Sequence, residues 1–142
     1  MHVRRAAERD APAVTVLLEQ LGYTRTVEAV AAHVRRDAAS RDDPAWVADD
    51  GDGAIGFVAG HLSHPYELDR PVAEITALVV ASDLRGTGAG RALVTELEAW
   101  ARQQGACRVE VSSSMRREGA HAFYETLGYG QRSRKFEKPL PT

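Results

Sequence analysis

A single cysteine, Cys107, stands in the 142 residues. It excludes an internal disulfide and a zinc site built of several thiolates. The sequence puts no histidine or helix start beside it, so it reads as a buried, inert thiol. Aromatic residues make up only 6 % of the chain. No apolar run approaches the ~18 residues of a membrane span. Neither sign of charge is in excess: 18 Lys and Arg stand against 20 Asp and Glu, a net charge of -2. That balance excludes a protein held to nucleic acid chiefly by bulk phosphate attraction. The opening residues run straight into charge at Arg4 and Arg5, without the apolar segment of a secretory signal, and the expectation is a cytoplasmic protein. What is present is ordinary for a globular chain: 44 % hydrophobic and 27 % charged residues. The length suits one domain over 1–142, large enough for a core without staples.

The hydrophobic period alternates between helix and strand values. Val3–Ala7 reads as an opening strand. Asp10 is placed as an N-cap before a helix over 11–21, in which Val14, Leu17, Leu18 and Leu21 share one face. Thr26 caps a second helix with Val27, Val30 and Val34 on its apolar side. Strands follow at 45–48, 54–62 and 72–80, separated by the Asp/Gly turn at 49–53 and a loop over 63–71. A helix carrying Leu93, Leu97, Trp100 and Ala101 ends at Gly105, and a strand follows at 108–111. A short helix with Ala120, Phe123, Tyr124 and Leu127 ends at Gly128, and a last strand is expected over 131–138. The order β-α-α-β-β-β-α-β-α-β is that of an α/β domain with a mixed sheet.

The segment Arg85-Gly86-Thr87-Gly88-Ala89-Gly90-Arg91 lies between a strand and a helix. Its glycines let the backbone approach a ligand, and the N–H groups of the next helical turn favour an anion. This is the physics of a diphosphate cradle. The spacing is not that of a dinucleotide fold (G-x-G-x-x-G), and Arg91-Ala92 stands where a P-loop needs Lys then Ser or Thr. The pattern Arg-x-x-Gly-x-Gly, met by Arg85, Gly88 and Gly90, resembles the pyrophosphate loop of the GNAT superfamily of acyl-CoA N-acyltransferases. Leu78-Val79-Val80 stands at that family's distance before the loop, and Ala120 to Tyr129 is similar to its late A-x-x-F-Y-x-x-x-G-[FY] helix. The opening Arg4 to Asp10 is similar to its first strand and turn. Within the superfamily, Glu74 to Val80 and Arg116 to Tyr124 look closest to small-amine acetylating members such as aminoalkylphosphonate N-acetyltransferases.

The resemblance implies a twisted sheet whose fourth and fifth strands splay apart around acetyl-CoA, which is a co-substrate; no metal is expected. It implies that a bulge at Leu78, Val79 and Val80 offers backbone groups to the pantetheine arm and the thioester carbonyl. It carries the role of acid toward the departing thiolate onto Tyr124, which is otherwise a core aromatic beside Phe123. Glu74, a carboxylate in an otherwise apolar strand, either faces a polar cavity and serves as base through a water, or lies on a solvated face. Where the family often has Asn, this chain has serines, Ser112 to Ser114, and Arg117; Arg116 and Arg117 lie within reach of CoA phosphates or in a solvated loop.

The implied activity is transfer of an acetyl group to a primary amine by direct attack in a ternary complex. A small amine is the expected acceptor. The alternatives are acetylation of a protein N-terminus or lysine, and a catalytically silent acyl-CoA-binding module. Glu67 and Asp69 in the 63–71 loop are expected to steer an ammonium group, with Arg25 or Arg70 pairing an anionic end. His61-x-x-His64 reads as strand and loop histidines and not as a metal site. A homodimer through 131–138 and Phe136 is expected, although Arg132, Arg134, Lys135 and Lys138 are the charges that guard an edge strand.

Overall fold

In the computed structural model, residues 1–111, 120–132 and 136–141 are described. The elements in chain order are β1 (His2–Arg5), α1 (Ala11–Gln20), α2 (Val27–Ala38), β2 (Ala45–Asp49), β3 (Ala54–Ser63), β4 (Val72–Val80), α3 (Ala89–Gln103), β5 (Val109–Val111) and α4 (Ala120–Thr126). The chain divides into two units, Met1–Ser112 and Ser113–Thr142, each taken by itself here.

The first unit holds a sheet in the order β1-β2-β3-β4-β5. The first three pairings are antiparallel, and β4–β5 is parallel, the strands joined by α3. The sheet is therefore mixed, as the element order implies. The period-two alternation of β3 decides what each face can hold. Gly56 and Gly60 face α3, where an added Cβ would stand 3.0 Å from Leu93 Cδ1 and 2.9 Å from Leu97 Cδ1. Two missing side chains thus let α3 lie directly on the strand, and Leu93 and Leu97 are fully buried there. Trp100 of α3 meets Trp46 of β2 edge-on, ring centroids 6.0 Å apart, and the Arg5 guanidinium lies 4.6 Å from the Trp46 ring centre. On the opposite face, Phe57 joins Val47 and Val79 against Ala11, Val14 and Leu17 of α1 and Val30 and Val34 of α2. Those helical residues are the ones the 3.6-residue period selects.

Thr26 caps α2 as expected, its Oγ1 accepting from the Ala29 N–H at 3.1 Å. Asp10 does not cap α1 with its side chain. Its carboxylate instead accepts from the Ala7 N–H at 2.8 Å and from both terminal nitrogens of Arg4 at 2.8 and 2.9 Å. Arg4 also donates to Asp49 at 3.0 and 3.2 Å. A strand, a helix start and the end of β2 are tied through one guanidinium.

Two expectations are corrected here. Residues 131, 132 and 136–138 lie in no strand, while 133–135 fall outside the described residues, Arg134 and Lys135 among them. Cys107 is exposed and not buried, because it sits in the turn between α3 and β5, where its N–H donates to the Pro71 carbonyl at 2.9 Å.

Burial pushes the Asp10 carboxyl up, but the bonds from Arg4 and the Ala7 N–H overcome it and hold the group below the usual carboxylate range. A lowered native pKa contributes stability above the unfolded value, about pH 4, which is lost as the pH falls through the native value. Arg4→Met should flatten this acid dependence and lower the unfolding free energy at neutral pH by roughly 1.5–3 kcal/mol. Urea denaturation at a series of pH values measures both effects.

Candidate active site

The course of β4 builds the centre of the site. Opposite Ala59 and Gly60 of β3 the register jumps from Ala77 to Ile75, leaving Thr76 as an extra residue. This bulge lies two residues before Leu78, Val79 and Val80, where the resemblance had put it. Those three residues pair regularly with Val58, Phe57 and Gly56. Their other edge is on the β5 side of the strand. The parallel ladder to β5 covers Ala73, Ile75 and the intervening Glu74, and among the described residues it goes no further. The Ala81 N–H donates to the Ile55 carbonyl at 2.8 Å. Counting back by two, Val79 and Ala77 bond toward β3, so Leu78 and Val80 turn their N–H and C=O groups to the β5 side of the strand. The expected splay of the fourth and fifth strands falls on residues 112–119, which lie outside the described residues.

Immediately beyond that edge the chain makes a one-turn helix, Ser82–Leu84. The Ser82 N–H donates to Gln20 Oε1 at 2.9 Å, which pins the turn to the end of α1. Thr87 closes it, its hydroxyl donating to the Leu84 carbonyl at 2.6 Å. Gly86 and Gly88 have φ of +86° and +92°, a region that side chains disfavour. Gly88 is the N-cap of α3 and offers no side-chain cap bond. The N–H groups of Ala89, Gly90 and Arg91 in the first helical turn therefore point out of the helix end, with the positive end of its dipole behind them. Arg85 and Arg91 are exposed beside them. The arrangement fits a diphosphate: N–H donors converge, and no carboxylate is placed among residues 85–91.

A cavity of about 630 Å³ opens on the other face of the sheet. Its floor is Phe57, Ala59, His61, Thr76 and Ala77, and its walls come from α1, α2 and the turn between them. The polar lining includes Tyr23 and Arg25 of that turn, and His33, Arg36 and Asp37 of α2. His33 Nε2 lies 3.0 Å from an Arg36 terminal nitrogen and 3.4 Å from Asp37 Oδ2. Asp43 and His61 also line the cavity, with His61 Nδ1 2.7 Å from Asp43 Oδ1. The Ser40 hydroxyl, donating at 2.6 Å, and the His61 ring hold the Asp43 carboxyl below its usual range against the opposing effect of partial burial.

Glu74 is half-buried on the face of β4 that this cavity occupies, opposite His61 in β3 and Glu110 in β5, but it is not among the lining residues. Arg25 lines the cavity; Arg70 does not. Arg70 donates to the carbonyls of Gly105 and Ala106, both at 2.9 Å, and so completes the end of α3. The 63–71 loop lies at the start of β4, whereas the glycine loop lies at its end. None of its residues lines the cavity, and Glu67 and Asp69 are exposed. The expected steering of an acceptor by this loop is thereby corrected.

Tyr124 belongs to the second unit. Its ring packs edge-on against Phe123 at 5.4 Å and Tyr129 at 5.8 Å between centroids. The Tyr129 N–H donates to the Tyr124 carbonyl at 3.0 Å, closing the helix end at Gly128, whose φ is +93°. Ser112, Ser113, Ser114, Arg116 and Arg117 lie outside the described residues. The sequence reading missed Tyr23, His33, Arg36, Asp37 and Asp43. His61 had a signal in its period-two alignment with Phe57 and Ala59.

Residues 13–129 match the acetyltransferase (GNAT) family. The chain is 30 % identical to an aminoglycoside N(6')-acetyltransferase type 1 of Stenotrophomonas maltophilia over 146 aligned positions, covering 97 % of this chain and 93 % of the relative. It is 35 % identical over 86 residues to an aminoalkylphosphonate N-acetyltransferase of Salmonella typhimurium, covering 61 % of this chain. That match spans only about half of the Salmonella protein, 56 % of its length. A solved aminoglycoside N-acetyltransferase in complex with CoA superposes with a TM-score of 0.87 at 17 % identity, covering 99 % of this chain and 95 % of that one, and shares the fold. With this match over most of its length, the chain belongs to the GNAT family of acetyltransferases.

Because Arg70 serves the end of α3, Arg70→Ala should lower stability by about 1 kcal/mol. It should leave acetyl-CoA affinity and acceptor KM at wild-type values. Thermal unfolding together with steady-state kinetics reads both.

Proposed function

We propose that residues 1–142 act as one acetyl-CoA-dependent N-acetyltransferase domain, passing the acetyl group to a primary amine of a small molecule by direct attack in a ternary complex. The observation that carries this is the stretch from Thr76 to Arg91. It joins the backbone groups that Leu78 and Val80 turn away from β3, suited to an amide-bearing arm, to a loop suited to a diphosphate. A ligand with both features in that order is an acyl-CoA. In this reading Arg85, Gly86, Thr87, Gly88, Ala89, Gly90 and Arg91 hold the diphosphate, and Leu78, Val79 and Val80 hold the arm through backbone groups. A β4 N–H polarises the thioester carbonyl and stabilises the oxyanion of the tetrahedral intermediate.

The acceptor enters as an ammonium ion and must lose one proton before it attacks and a second as the intermediate collapses. Glu74, acting through a water, is the proposed base for the acceptor nitrogen. Its half-buried position on the cavity's face of β4 supports that role. When the intermediate collapses and the C–S bond breaks, the thiolate takes a proton from the Tyr124 hydroxyl. A small acceptor is supported by the cavity, whose volume of about 630 Å³ suits a compact molecule. Its lining mixes cations, Arg25 and Arg36, with carboxylates, Asp37 and Asp43, as a molecule bearing both an ammonium and an anionic or hydroxyl end requires. The names of the relatives, which act on aminoalkylphosphonates and aminoglycosides, fall within that class. The proposal extends to a cytoplasmic homodimer, supported on the pairing side by Phe136 and Leu140, 99 % and 83 % exposed.

Gly88→Asp puts a side chain at φ +92° and a negative charge in the cradle. Calorimetry should show acetyl-CoA binding lost while circular dichroism keeps the wild-type spectrum; retained affinity refutes the loop assignment. Tyr124→Phe should lower kcat by about 10²–10⁴-fold with acetyl-CoA affinity unchanged. Thiol release under saturating amine is the measurement. Wild-type turnover in this variant would leave the thiolate to be protonated by solvent.

A further inference from the structure

We infer that His61, oriented by Asp43, takes the first proton from the acceptor's ammonium group. This inference rests on the acetyltransferase reading above and names a second titrating group for it. Four observations support it, all within the first unit.

The ring is held at one nitrogen. His61 Nδ1 is 2.7 Å from Asp43 Oδ1. A carboxylate can only accept, so Nδ1 carries the hydrogen and Nε2 of the neutral ring keeps its lone pair. The partner is itself fixed. The backbone on either side of Asp43 is bonded to β3, where the Leu62 N–H donates to the Asp42 carbonyl at 2.8 Å and the Gly60 N–H to the Pro44 carbonyl at 2.9 Å. Pro44 restricts the Asp43 backbone to extended conformations, and the Ser40 hydroxyl occupies the second carboxylate oxygen at 2.6 Å. Asp43 therefore meets His61 in a geometry settled before any ligand arrives.

The ring is also in the right place. His61 lines the cavity, on the same face of β3 as Ala59, which pairs with Ala77 beside the Thr76 bulge. His61 is therefore among the residues that meet what enters the cavity. Finally, the chemistry needs such a group. An imidazole with its far nitrogen on a carboxylate accepts a proton and is stabilised as the cation it becomes. Several charged groups face it: Asp43 from the loop after α2, Arg36 and Asp37 with His33 from α2, Arg25 from the preceding turn, and Glu74 across the register in β4.

The protons balance as follows. R–NH3⁺ gives one proton to Nε2, and the freed amine forms the C–N bond at the thioester carbonyl. The C–S bond breaks, and the nitrogen loses its second proton as the thiolate gains one. The imidazolium then releases its proton to bulk water, so one proton appears per acetyl group transferred. His61 governs the ionisation before attack, whereas the Glu74 water serves the nitrogen after it.

The test is kcat/KM for thiol release between about pH 5 and 8, with 2-aminoethylphosphonate, kanamycin and spermidine as acceptors. Wild type, His61→Gln, Asp43→Asn and the loop control His64→Gln are compared. In wild type the rate should level off once the imidazole is neutral. In His61→Gln it should fall about 10²-fold and then rise tenfold per pH unit with the free-amine fraction, while acetyl-CoA affinity and the circular dichroism spectrum stay unchanged. Asp43→Asn should lose part of the rate and, by ¹⁵N NMR of the ring, the Nδ1–H tautomer; His64→Gln should match wild type. Unchanged rates and pH limbs in both His61→Gln and Asp43→Asn, or an Nε2–H tautomer in wild type, overturn the inference and leave the acetyltransferase reading standing. Absence of thiol release by wild type with every amine overturns the reading itself, and the inference with it.

Discussion

The contact on which the rest of the first unit depends is the seating of α3 on the two glycines of β3. With Gly56 and Gly60 bare, Leu93 and Leu97 descend to the strand backbone and the helix axis is drawn against the sheet. A close-packed interior leaves little freedom once such a contact is made. The N-terminus of α3 is thereby fixed relative to β4, and so is the glycine loop between them. The other end of α3 is fastened by Arg70, and its flank by Trp100 against Trp46. The glycine loop is thus one end of a rod clamped along its length. Preorganisation of this kind spares a ligand the cost of ordering its own site.

The two faces of the sheet divide the work. The α3 face is apolar and tightly filled, and it holds the geometry. The face under α1 and α2 is filled only in part: Val14, Val30, Val34, Phe57 and Val79 close its inner portion. The remainder is the polar-walled cavity. Strand β4 is common to both, with Val79 in the core, Ala77 in the cavity floor, and the backbone groups of Leu78 and Val80 turned away from β3. One nine-residue strand therefore carries packing, cavity floor and outward backbone groups in successive residues.

The fold was legible where it depends on period and on local breakers. Helix and strand positions up to β5 follow from apolar spacing, Thr26, the Asp/Gly turn and the glycines at helix ends. The conformation of the glycine loop was legible for the same reason, because positive φ at Gly86 and Gly88 is what glycine spacing records. The cavity was not. Asp43 and His61 lie eighteen positions apart, and only the pairing of the 42–44 backbone with β3 brings them together. Arg70 looked like a substrate ligand because its charge was visible and its partners, two backbone carbonyls, carry no sequence signature. Asp10 looked like a cap for the same reason, with the competing pull of Arg4 hidden in the sheet register. The bulge was misplaced by two residues, since strand pairing and not residue type selects which position is extra.

That extra residue constrains how the gene can change. A side chain's face on a strand is set by parity, and Thr76 shifts the parity of everything after it. Before it, Ala73 and Ile75 share a face with Leu62 and Gly60; after it, Leu78 and Val80 recover that face opposite Val58 and Gly56. Loops such as 49–53 or 63–71 can gain or lose a codon with little consequence, because nothing downstream counts from them. Deleting the Thr76 codon would instead straighten the ladder and leave Ala77 to Val80 on their faces, whereas a one-codon insertion within 77–80 would exchange the two faces across the rest of β4. Insertions among descendants of this sequence should therefore collect in the turns, while β4 gains no residue even where its composition drifts.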